Sequence, residues 1–169
     1  MFTNPAIGIV FQDNRGALMT AAGITYTFAW GGPYEDWRAA YFTPAQLTNA
    51  AISGDGVSAS ADDIPNLVKY AFNLNPLVVN HPSLPAGFVE NAAGTNFFDV
   101  QFVQRNPPAG VNYLPQVSTN LISWSSDPAN FLQVNSVASS NNTSVVTLRL
   151  LGAVASAPSR FVRVAIQKQ

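Results

Sequence analysis

A chain of 169 residues can form one ordinary domain, or one domain with an extension, and can bury a substantial core without disulfides. Charged residues make up only 10% of it and the net charge is -1, with the basic residues scattered, so nothing is present that would attract a phosphate backbone and nucleic-acid binding is not expected. The absence of cysteine removes disulfides, thiolate metal sites and a cysteine nucleophile, and no apolar run reaches the roughly 18 residues needed to span a bilayer.

Residues 6–12 are apolar and β-branched, Asp13 to Gly16 supplies turn residues, and Ala17 to Thr20 follows, which predicts a hairpin. Ile24 to Trp30 alternates, with Ile24, Tyr26, Phe28 and Trp30 on one face, and predicts a strand. Residues 1–33 thus read as an N-terminal β segment or extension that ends at Gly31-Gly32-Pro33. Tyr34 to Phe42 has helical spacing, with Tyr34, Trp37, Arg38, Tyr41 and Phe42 on one side, and Thr43-Pro44 starts a further helical turn with Thr43 as its cap.

The stretch from Ile52 to Pro76 is a polar loop that runs into a short amphipathic helix at 63–73. Ile64, Leu67, Val68, Ala71 and Phe72 fall on one face, which the rest of the chain must cover. Asp62 or Asp63 is placed to cap this helix, Pro65 suits its first turn, and Asn75-Pro76 closes its far end. Residues 34–76 are therefore expected to form a helical insert in a chain that folds as one unit.

This stretch resembles a segment near the C-termini of large secreted proteins from bacteria such as Verrucomicrobia. Its pattern is Ile-Ser-Gly-Asp, eight loop residues, Ile/Leu-Pro-Asn-Leu, two residues, Tyr-Ala and a Leu-x-Pro ending. Trp37-Arg38 upstream and Val117 to Trp124 downstream are also similar to that family, and the resemblance covers about residues 34–169. It implies a calcium loop like those of dockerins and thrombospondin type 3 repeats, with Ser58, Ser60 and Asp62 where three aspartates would stand. Two of those three carboxylates are hydroxyls, and counting from Ser58 puts Asn66 at position 9 and Lys69 at position 12, where an acid often stands. Tight binding is not expected. Capping by Asp62 and Asp63 is the preferred reading, and a weakly held calcium ion on Asp55, Asp62, Asp63 and Asn66 is the alternative.

Residues 77–169 read as the β-sandwich module. Leu77 to Thr95 is a connector with at most a short strand near Phe88. Phe97 to Gln104 alternates with Phe98, Val100 and Phe102 inward, and a turn at Asn106 to Gly110 leads to a return strand at Val111 to Thr119. Pro115 places that strand at an edge or a bulge, and Trp124 is expected to anchor the core. Phe131 to Val137, Ser144 to Leu151 and Arg160 to Ile166 complete the set, with Val162, Val164 and Ile166 on one face of the last. The fold class is mainly β: an antiparallel β-sandwich, immunoglobulin-like or fibronectin-III-like, with a small helical insert.

The lone histidine, His81, lies in the connector; no Gly-x-Ser-x-Gly elbow, zinc spacing, phosphate loop or dinucleotide fingerprint occurs, so no catalytic residue is assigned and an enzyme is not expected. Low charge with abundant Asn, Thr and aromatic residues is associated with bacterial surface and adhesion proteins. A secreted, extracellular or cell-surface structural module is expected, one that self-assembles into a fibre or layer as a homo-oligomer, or joins other surface proteins, by strand addition. The leader of such a chain would have been removed or would lie outside this sequence. The alternative is a carbohydrate-binding accessory module that uses Trp30, Tyr34 or Trp37 as stacking platforms.

Overall fold

The computed structural model describes residues 31–80, 84–156 and 159–169, together with the backbone of four short strands before residue 28. Of those, β1 (Phe2–Asn4) pairs antiparallel with β2 (Ile9–Phe11), and β3 (Leu18–Ala21) with β4 (Ile24–Thr27). The expected hairpin between residues 6–12 and 17–20 is thereby corrected. Only Ala22 and Gly23 separate β3 from β4 in the sequence, a spacing that favours a tight hairpin over the longer closure expected.

Helices α1 (Pro33–Tyr41), α2 (Pro44–Leu47) and α3 (Ala50–Ser53) follow. Thr43 caps α2 as expected: its hydroxyl accepts from Gln46 N while the Gln46 side chain accepts from Thr43 N, a reciprocal capping box. Helix α4 (Asn66–Ala71) is shorter than the expected 63–73, because Asp63 has φ 61° and Pro65 stands outside the helix as its N-terminal flank.

The remaining strands form two layers. β5 (Ala86–Ala92), β6 (Thr95–Arg105), β9 (Thr143–Leu150) and β8 (Phe131–Ser139) make one antiparallel sheet in the order β5-β6-β9-β8. β7 (Val111–Ser118) and β10 (Phe161–Lys168) pair antiparallel as the second. The architecture is an antiparallel β-sandwich with short helices.

Two expectations need correction here. β5 is a full strand of seven residues where a connector was expected, because Ala93 (φ 50°) and Gly94 (φ 80°) make a two-residue turn that folds it back on β6. β7 is not the return strand of β6: the chain crosses to the other layer at 106–110, and β7 pairs with β10, where Val164 stands opposite Pro115. In a sheet of two strands every strand is an edge, as Pro115 required.

The interior has two parts. Val100, Phe102, Val146 and Leu148 of the larger sheet close over Phe72, with Tyr113, Val162, Val164 and Ile166 packed from the smaller sheet. Tyr34, Tyr70, Ala71 and Val111 form the second cluster, joined by Trp37 and Leu67. Helix α4 and the residue after it feed both, so the helical insert shares its core with the sandwich. The sandwich also closes the helix end: Arg105 Nε donates to Tyr70 O at 2.7 Å and Tyr113 Oη to Ala71 O at 2.5 Å, which satisfies carbonyls that a helix terminus leaves unpaired.

Candidate functional site

The loop that precedes α4 wraps around the helix and supplies its first hydrogen bonds. Val57 O accepts from Asn66 N at 2.8 Å and Asp55 O from Leu67 N at 3.0 Å. Capping by Asp62 or Asp63 is therefore corrected: backbone carbonyls occupy the positions that a capping carboxylate would take. Asp63 is exposed, and Asp62 is buried beside Lys69 instead.

Lys69 is the centre of this region. It lies on the face of α4 opposite the sandwich and is fully buried, with its Nζ 2.7 Å from Asp62 Oδ2. Nζ also donates to Ser60 Oγ, to Val78 O at 2.8 Å and to Pro76 O at 3.5 Å. Asp62 is held from its other sides by the Ser58 hydroxyl at 2.8 Å, by Ile64 N at 3.1 Å and by Asn80 N at 3.1 Å. Burial raises the pKa of this carboxyl, but the ammonium and these donors outweigh it and hold the group well below the usual carboxylate range.

The four residues considered for calcium are not brought together. Asp55 reaches Lys168 at 3.5 Å, Asp63 points to solvent, and the Asn66 amide donates to Ile52 O and Gly54 O at 3.1 and 3.0 Å. Among the described residues no three carboxylates or imidazoles cluster as metal ligands would. The sequence placed a cation at position 12 and read it as a fault in the loop; that cation turns out to fill the loop.

Of the aromatic residues considered for sugar stacking, Tyr34 and Trp37 come together but pack inward rather than forming an open platform. Tyr34 is 3% exposed and its ring meets Tyr70 edge-on at 5.0 Å; Trp37 stacks on Tyr34 at 5.8 Å and is half-buried. Burial, and then the neighbouring Asp55 carboxylate, push the Tyr34 hydroxyl above its ordinary pKa. Trp30 and His81 lie outside the described residues.

Trp124 is half-exposed at the rim, correcting its expected place as core anchor. The guanidinium of Arg163 sits 4.1 Å from the ring centroid, and the indole N–H donates to Leu121 O. Around it lies an open cleft of ≈ 330 Å³ lined by Val117, Ser118, Thr119, Ser123, Trp124, Ser125 and Asn130. The sequence motif that located Trp124 held no information on depth, since the Arg163 guanidinium over its ring comes from β10, far along the chain. The lining offers hydroxyls, an amide and an aromatic ring, but no acid, base or activated nucleophile.

The larger sheet has two edge strands, β5 and β8, and among the described residues nothing covers β8. β8 has no charged residue and no proline, it is exposed from Leu132 to Ser139, and Leu132, Val134 and Val137 are 52%, 40% and 53% exposed. Its one irregularity is the bulge between Gln133 and Asn135. Among the described residues no helix is long and apolar enough to cross a membrane. Compared with known proteins, the chain matches no family model, no curated sequence and no solved structure.

Proposed function

We propose that this chain is a non-enzymatic extracellular structural or interaction module that joins further copies of itself, or other surface proteins, by strand addition. The observation that carries this reading is the β8 edge. A long exposed edge strand offers unpaired N–H and C=O groups, and natural proteins guard such edges with lysine, proline, a β-bulge or a covering element; in β8 the bulge between Gln133 and Asn135 is the one such device, and it leaves Asn135 to Ser139 as regular strand. β8 has neither lysine nor proline and carries exposed Leu132, Val134 and Val137. Residues before 33 are the candidate donor strands of a neighbouring copy.

The test is the mass of the particle in solution across a range of concentrations. The native chain should form assemblies larger than a monomer. Val134→Lys with Val137→Lys should return it to a monomer, because an inserted charge on an edge opposes pairing. A native chain that stays monomeric throughout would remove the reading.

The second reading, a carbohydrate-binding accessory module, is favoured by the cleft at Trp124 rather than by Trp30, Tyr34 and Trp37. Neutral hydroxyl and amide groups beside one indole suit a neutral sugar. Oligosaccharides should then change the tryptophan fluorescence of the native chain and leave that of Trp124→Ala unchanged. An equal response in both would exclude this cleft.

A further inference from the structure

We propose that Lys69 is the resident cation of the loop at 54–66: its ammonium performs the folding role of a bound ion, the native module is indifferent to calcium, and truncating the side chain uncovers a site for a small monovalent cation. The donor set is that of a cation site. Ser60 Oγ, Asp62 Oδ2, Pro76 O and Val78 O converge on Nζ, all are oxygens, and Lys69 and Asp62 are both 0% exposed at their side chains. Hard oxygen ligands of this kind, a carboxylate with hydroxyl and backbone carbonyl groups, are what cations of the calcium class require.

The ligands also have the topology of an ion-built loop. Ser60 and Asp62 precede α4, whereas Pro76 and Val78 follow it, so one charge draws together two segments that the helix separates. The carboxylate is itself prepared for the position, since Ser58, Ile64 N and Asn80 N fix both of its oxygens.

Charge decides which ion fits. One carboxylate and one ammonium leave the buried site neutral. A divalent ion beside Lys69 would add two positive charges to a site with a single acid, and taking uncompensated charge out of water is costly. With Lys69 shortened, one carboxylate and three further oxygens remain, which balance a monovalent ion such as ammonium or potassium.

The experiment is thermal unfolding of the full chain. The native Tm should be the same in millimolar calcium and in a chelator. Lys69→Ala should lower Tm by roughly 10 °C, the scale for one buried charge left without its partner in a chain of this size. Ammonium chloride should restore part of that loss, whereas tetramethylammonium chloride at equal ionic strength, too bulky for the site, should not. If Lys69→Ala fails to fold in tetramethylammonium buffer, recovery of its near-ultraviolet circular dichroism in ammonium becomes the readout.

Three outcomes would overturn the proposal. The first is a native Tm that rises by several degrees in calcium. The second is Lys69→Ala with the native Tm. The third is a loss that ammonium does not relieve at all, which would make Lys69 a packing residue only.

Discussion

Phe72→Ala will lower the unfolding free energy by about 3–5 kcal/mol, the usual cost of truncating a buried phenylalanine. The residue is 3% exposed, and its ring meets Phe102 edge-on at 6.2 Å and Tyr113 at 6.2 Å. It belongs to the helical insert by sequence but sits among Val100, Val146 and Leu148 of the larger sheet. Tyr70 is likewise tied to the larger sheet through Arg105, and Ala71 to the smaller one through Tyr113. The loss must therefore appear in both parts of the chain as one cooperative transition. Denaturant unfolding followed by far-ultraviolet circular dichroism and by tryptophan fluorescence should give a single shifted midpoint. A helical signal that melts early while the strands keep their native midpoint would show that the insert is only appended.

Acid will destabilise the native chain more steeply than Asp62→Asn. The folded carboxyl titrates well below its ordinary range: burial opposes this, but Lys69, Ser58 and the Ile64 and Asn80 N–H groups prevail. The unfolded carboxyl, free of these partners, has a pKa near 4, so below that value the unfolded chain binds a proton that the folded chain does not. The contribution of Asp62 is complete above about pH 4 and is lost as the pH falls toward the folded value. Asp62→Asn should start from a lower stability, because it leaves the Lys69 charge unpaired, yet its unfolding free energy from urea titrations should fall less steeply with decreasing pH, the slopes differing by up to one bound proton. Equal slopes in the two proteins below about pH 4 would show that Asp62 is not held ionised by this pocket.

Both predictions concern residues whose type was legible but whose surroundings were not. The periodicity of Ile64, Leu67, Val68, Ala71 and Phe72 identified the face of α4 that meets the sandwich, and Ala71 and Phe72 are indeed buried there. The opposite face holds Asn66 and Lys69, and the periodicity said nothing of what would cover it. Both are fully buried, since the loop before the helix and the segment after it fold over that side. An amphipathic pattern reports the average polarity of a face, and polar groups that satisfy each other can be buried without altering the pattern.

Sequence alone determined the class of the fold, the alternating inward positions Val100, Phe102, Val162 and Val164, the turn at 106–110, the cap at Thr43 and the edge position of Pro115, because each is set by residues within a few places of one another. Tertiary structure decided the rest. It chose β10 rather than β6 as the partner of β7, moved Trp124 to the rim under Arg163, and carried Pro76 and Val78 back to the Lys69 ammonium. Such choices depend on which apolar faces can be closed together and which buried charges must be matched, and those conditions link residues far apart in the chain.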